Sequence, residues 1–187
     1  MNASSLKMGK AIIISVLLLL SLYGSSQDAK LSKEDRKEAR RNMQNVNFQV
    51  LDTMLKSKNF VLVADFLENP YGNRTPVLSD LNFIKVDSTT AVLQTGFMNR
   101  YGLNGVGGTT AEGSIRGFKM VKNLKNKSFY LRFTVVTDIG IYDVSMTVYA
   151  DNIAKATITG LTPGELRYDG HIRAINNTGI FKGHNII

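Results

Sequence analysis

Cysteine is absent from the 187 residues, which excludes disulfides, thiol catalysis, thiolate metal sites and acylation of an N-terminal cysteine. Histidine is nearly as scarce, with only His171 and His184. The commonest general base and metal ligand is therefore in short supply, and no metal site, cofactor or catalytic residue is expected. Past residue 26 no apolar run approaches the roughly eighteen residues that a spanning helix needs. The chain also has no internal repeat, so its fold must rest on one packed core.

The first twenty-six residues differ from the rest. "MNASSLKMGK" carries Lys7 and Lys10 without an acid, and "AIIISVLLLLSLYG" is almost wholly apolar. This is the plan of a secretory signal peptide. Helical rise of about 1.5 Å per residue gives Ala11 to Gly24 only about 21 Å, short of a bilayer core of about 30 Å. Cleavage is expected near Ser26 and Gln27, leaving residues 27–187 as one domain, large enough to bury a core without disulfides. The expected location is the periplasm or cell envelope, in soluble form. Without Lys7 and Lys10 the chain holds 21 basic and 15 acidic residues, a formal balance of +6. Such an excess suits an anionic membrane surface as a peripheral partner. Nucleic acid is not expected for an exported chain.

Leu31 to Lys56 reads as a helix. Ser32 can cap it with Asp35 three residues on, acids lie near its positive end, and no Gly or Pro interrupts. Its first half is charged nearly all round, whereas Met43, Val46, Val50, Met54, Leu51 and Leu55 recur at spacings of three and four. Only the C-terminal turns are expected to pack on the body. After Lys58 the period becomes two. Eight strands come next: "NFVLVADFL", "LNFIKV", "TAVLQTGF", "SIRGFKMVKNL", "SFYLRFTVVT", "IYDVSMTVYA", "IAKATIT" and "LRYDGHIRAI". Turn signals at Asp87 and Ser88, Lys125 to Lys127, and Asp151 and Asn152 keep most links short, which implies antiparallel neighbours. The expectation is a mainly β (α+β) fold: an N-terminal helix, then an eight-stranded antiparallel meander curled into a barrel or half-barrel. A two-sheet sandwich is the alternative.

"YGLNGVGGTTAEG", from Tyr101 to Gly113, has five glycines in thirteen positions. A phosphate loop would need a lysine followed by Ser or Thr opening a helix. Here no lysine precedes Thr109 and Thr110, and "SIRGFKM" is strand-like, so Gly105, Gly107, Gly108 and Gly113 are assigned to a flexible crossing or bulged strand start. Taken with "LDTMLKSKNFVLVADF", "SDLNFIKVDSTTAVLQTGF", "GGTTAEGSIRGFKM", "FYLRFTVVTDIGIYDVSMTVYADNIAKATITG" and "YDGHI", the chain resembles a secreted Bacteroidetes family, domain of unknown function 4251, from about Glu34 to Ile175. Thr95, Gly96 and Phe97 depart from the Leu-Pro-Tyr type of sequence expected before the glycine loop. The resemblance implies an exported envelope domain of lipocalin-like topology and no particular chemistry.

Function then falls to the ends and tips. Met98 to Thr110 and Glu68 to Asp80 are long for hairpin links. They are expected to form the mouth of any cavity, with Tyr71, Arg74, Arg100 and Tyr101 as handles, and Phe133 and Tyr168 among the inward side chains. The resulting expectation is a non-enzymatic protein binding a small amphiphile or envelope component at the open end. The alternative is an interaction or structural module with a filled core. A third reading, a carbohydrate-active hydrolase, would need two carboxylates about 5 to 10 Å apart from among Asp65, Glu68, Glu112 and Asp143. Ser114 in "EGSIRG" only loosely matches a nucleophile elbow. His171 is placed on a polar exterior row, His184 in a tail that stays mobile unless isoleucines dock it. Lys119, Lys122, Lys125 and Lys127 cluster around one hairpin tip.

Overall fold

A computed structural model describes residues 32–97, 105–160, 164–177 and 179–184; the leader segment 1–26 and the residues Arg100 and Tyr101 lie outside them. The chain divides into two units at Ala39 and Arg40. The described part of the first is the start of helix α1 (Lys33–Lys56). There the capping pair forms as the sequence implies: Asp35 N donates to Ser32 Oγ and Ser32 N to Asp35 Oδ2, each at 3.1 Å, satisfying donors that a helix start leaves free. The helix ends where Lys58 turns to a φ of 52°.

The second unit holds the rest of α1, from Arg40 on, and nine strands: β1 (Asn59–Glu68), β2 (Arg74–Pro76), β3 (Phe83–Asp87), β4 (Thr90–Thr95), β5 (Thr109–Asn123), β6 (Ser128–Thr137), β7 (Gly140–Tyr149), β8 (Ile153–Thr159) and β9 (Glu165–Ala174). Every pairing is antiparallel, and β3 to β9 succeed one another in order from β1. Pairing of β1 with β9, from Phe60↔Ala174 to Glu68↔Arg167, closes the ring. The fold is thus an eight-stranded barrel with β2 as an extra strand on the far half of β1, not a sandwich. Closure leaves no long unpaired edge among the described strands. Ser88 and Asn152 take the positive φ, 54° and 67°, that their tight turns require. No described helix is long and apolar enough to cross a membrane.

Alternation fills the interior: Phe60, Leu62, Ile84, Leu93, Phe129, Leu131, Phe133, Val135, Val144, Met146, Val148, Ala156 and Tyr168 are all buried in one cluster. Phe48, Leu51 and Leu55 of α1 join it. The Phe48 ring stacks on Phe129 at 4.6 Å, beside the β5–β6 and β7–β8 turns, so α1 plugs that end. Burying three such side chains contributes about 1.5–3 kcal/mol each. Beside them Asp52 Oδ2 takes Lys56 at 2.8 Å and Lys122 at 3.1 Å. The Lys56 hydrogen bond, with help from Lys122, holds this carboxyl below its ordinary value despite the opposing effect of burial.

Three local expectations change. First, Met43, Val46 and Val50 face away from the core, at 67%, 59% and 59% exposure; the packed stripe is Phe48, Leu51 and Leu55. Second, β1 does not alternate to its end. A bulge between Ala64 and Phe66 shifts the phase, so Leu67 enters the core while Phe66 sits half-buried outside it. A second bulge, between Arg116 and Lys119, is carried by Gly117 at φ 61°. Third, the outer face of β1, β3 and β4 is apolar too. Val61, Val63, Phe83 and Val92 form a second buried cluster, packed against Ile175 and Ile180 of the C-terminal segment.

Candidate functional site

At the end opposite α1, the barrel opens into a cleft of about 520 Å³. Its apolar wall comes from the inward positions nearest the rim: Leu93 on β4, Ala111 on β5, Ile158 on β8, Leu166 on β9. Ala111 and the glycines at 160 and 164 leave room where larger side chains would fill the mouth. Thr95, Thr109, Tyr142 and Glu165 supply polar atoms, and Pro70 and Tyr71 stand on the connection between β1 and β2. Tyr168 lies at the cleft's inner side, fully buried, its hydroxyl donating to the Gln94 carbonyl at 3.1 Å. Burial pushes its pKa well above the ordinary tyrosine value, so this group is a fixed neutral donor.

The site residues expected from sequence separate. Tyr71, 89% exposed, and Tyr168 line the cleft. Phe133 does not: it is buried deeper, its ring 5.7 Å from Phe118. Arg74 lies on the outer wall, its guanidinium 3.9 Å over the Phe66 ring and 3.2 Å from Asp169 Oδ2. The bulge in β1 brings Phe66 outward to meet it. Tyr142, placed inward by the alternation, also reaches the cleft.

Two buried amides shape the rim without any sequence signal of their own. Gln94 points outward from β4, where its Nε2 donates to the Leu81 and Phe181 carbonyls (3.1 and 2.8 Å). Its Oε1 accepts from Thr110 Oγ1 and Gly183 N (3.0 and 2.8 Å). Every hydrogen-bonding position of that amide is used, and the C-terminal segment is thereby pinned across β4. Asn82 Nδ2 donates to the Leu78 and Gly96 carbonyls, both at 2.9 Å, and its Oδ1 accepts from Gly96 N at 3.0 Å. This fixes the exit of β4 toward the mouth.

The glycine-rich stretch serves the same rim. Gly105 and Gly107 take φ of 76° and 77°. At Gly108, by contrast, the need is space: a Cβ there would lie 2.2 Å from the Thr95 carbonyl oxygen. The described part of the stretch, from Gly105 on, leads directly into strand β5, so it presents no helix N-terminus to a phosphate. The carboxylates considered for hydrolysis take separate partners. Asp65 meets His171 Nδ1 at 2.8 Å, Asp143 accepts from Thr134 Oγ1 at 2.6 Å, Glu68 pairs with Arg167 at 2.7 Å, and Glu112 pairs with Lys182. None of these four lines the cleft; Glu165, itself bridged to Arg167, does. Among the described residues no cluster of three or more potential metal ligands occurs.

Comparison with known proteins fits this barrel. No curated protein matches the chain. Among solved structures, a crystal structure of a DUF4251 family protein from Bacteroides eggerthii is similar at a TM-score of 0.61 and 26% identity, covering 73% of this chain and 93% of that one. The family model for the domain of unknown function DUF4251 matches residues 42–172, which run from α1 through nearly all of β9. With most of the sequence matched and the fold shared, the chain belongs to the DUF4251 family.

Proposed function

We propose that this protein is an exported, non-enzymatic binding protein of the cell envelope that takes a small amphiphile at the open end of its barrel. The observation that carries the reading is the cleft: about 520 Å³, within the roughly 300–1,000 Å³ usual for ligand sites, with an apolar wall and a rim of hydroxyls. The apolar part of a ligand would lie against Leu93, Ala111, Ile158 and Leu166, its polar part toward Thr95, Thr109 and Tyr142. Below the cleft Phe133, Leu131 and Met146 fill the barrel, so the ligand would be held in the mouth and not in a deep central cavity. The leader "AIIISVLLLLSLYG" supports export.

The test is titration with a fluorescent apolar probe, 1-anilinonaphthalene-8-sulfonate, against the wild type and Ala111→Phe. Saturable binding to one site, weakened about ten-fold or more when the bulky ring occupies the apolar wall, is the expected result. Absence of saturable binding, or equal binding by both proteins at unchanged stability, would favour an interaction module with a filled core.

A further inference from the structure

The end of the barrel plugged by α1 carries features that neither the core nor the cleft uses. Met43, Val46 and Val50 occur at intervals of three and four on the side of α1 turned from the core, and all are more than half exposed. The β5–β6 tip adjoins them: Lys122 reaches Asp52 at 3.1 Å, and Gln44 shares a hollow with Lys125, Asn126 and Lys127. That tip exposes Leu124 to 72%. Apolar side chains in one neighbourhood, bordered by cations, mark a contact surface. Arg40, three residues before Met43 on the helix, and Lys125 on the tip are exposed beside them. Against them stand Asp52, already held by Lys56 and Lys122, Asp151, and Glu38, exposed two residues before Arg40 on the same helix.

We propose that this end of the barrel docks on an anionic lipid membrane. Charge decides the occupant. A second copy would bring the same basic set against itself across a two-fold axis, whereas an anionic bilayer attracts each cation and accepts Met43, Val46, Val50 and Leu124 among its headgroups. Docked this way, the barrel presents its open cleft away from the bilayer.

The described fold lies wholly within residues 32–184, so a chain starting at Gln27 tests the surface without the apolar leader. Flotation with vesicles of phosphatidylglycerol and phosphatidylethanolamine should recover the protein, and phosphatidylcholine vesicles should not. Val46→Ser/Val50→Ser should weaken partitioning about five-fold or more, and Arg40→Gln/Lys125→Gln about ten-fold, with reduced sensitivity to salt. Thermal unfolding followed by circular dichroism should be unchanged in both, since the positions are exposed. Equal recovery on neutral vesicles, no recovery on either, or equal binding by wild type and variants would overturn the proposal. So would a sedimenting dimer abolished by Val46→Ser/Val50→Ser, which would assign the face to a second copy.

Discussion

At the scale of single residues, Tyr168 shows what an enclosed and partnered polar group implies for pH. Its hydroxyl donates to the Gln94 carbonyl within the barrel wall, and burial raises its pKa above the ordinary value of 10.0. The folded state therefore keeps the phenol neutral where the unfolded chain ionises. Stability from this group is fully present below about pH 10 and is lost as pH rises toward the folded value. Tyr168→Phe should cost about 1 kcal/mol at pH 8 through the lost hydrogen bond. The gap from wild type should narrow above about pH 10, because phenylalanine has no proton to lose. Urea denaturation at pH 8 and about pH 11 checks this; a gap independent of pH would contradict it. Gln94 itself is illegible in "TAVLQTGF". Its partners Phe181 and Gly183 lie nearly ninety residues away, and no local pattern encodes such a contact.

At the scale of elements, turns and periodicity carry the fold, and shifts of phase limit what they reveal. β6 and β7 keep strict alternation, with Phe129, Leu131, Phe133 and Val135 paired against Val148, Met146, Val144 and Tyr142, so their inward sets are readable directly. In β1 the bulge between Ala64 and Phe66 inserts a residue without changing composition, which is why Leu67 and Phe66 exchange places. Its outward valines give no sequence sign of burial, because the segment that covers them comes after the last strand. α1 offers the sharpest test. Its sequence carries two apolar stripes, and only packing decides between them: Phe48, on Phe129, or Val50, on the other side. Phe48→Ala should destabilise by about 3–5 kcal/mol and Val50→Ala by less than about 0.5 kcal/mol, measured by equilibrium unfolding. Similar costs at both positions would mean that the helix packs by its other face.

At the scale of the whole barrel, closure separates two ends that the same strands connect. β6 and β7 each run ten residues between them, about 33 Å along the strand. The core between holds fully buried rings and branched side chains, among them Phe60, Leu131, Phe133 and Val144, packed too densely for a small change at one end to travel far without a second arrangement to switch into. The described strands pair antiparallel all the way round, each in a single register between its bulges. The two ends should therefore act independently. Ala111→Phe should weaken the fluorescent probe and leave vesicle partitioning unchanged, while Val46→Ser/Val50→Ser should do the reverse. The combined variant should show both losses within about 0.5 kcal/mol of their sum, as expected for sites well beyond contact distance. Probe titration in the presence and absence of anionic vesicles gives the reciprocal reading, since any coupling must appear equally in both affinities. A probe affinity that shifts several-fold on vesicle binding would show that the barrel transmits between its ends, and that its core holds more than one packing.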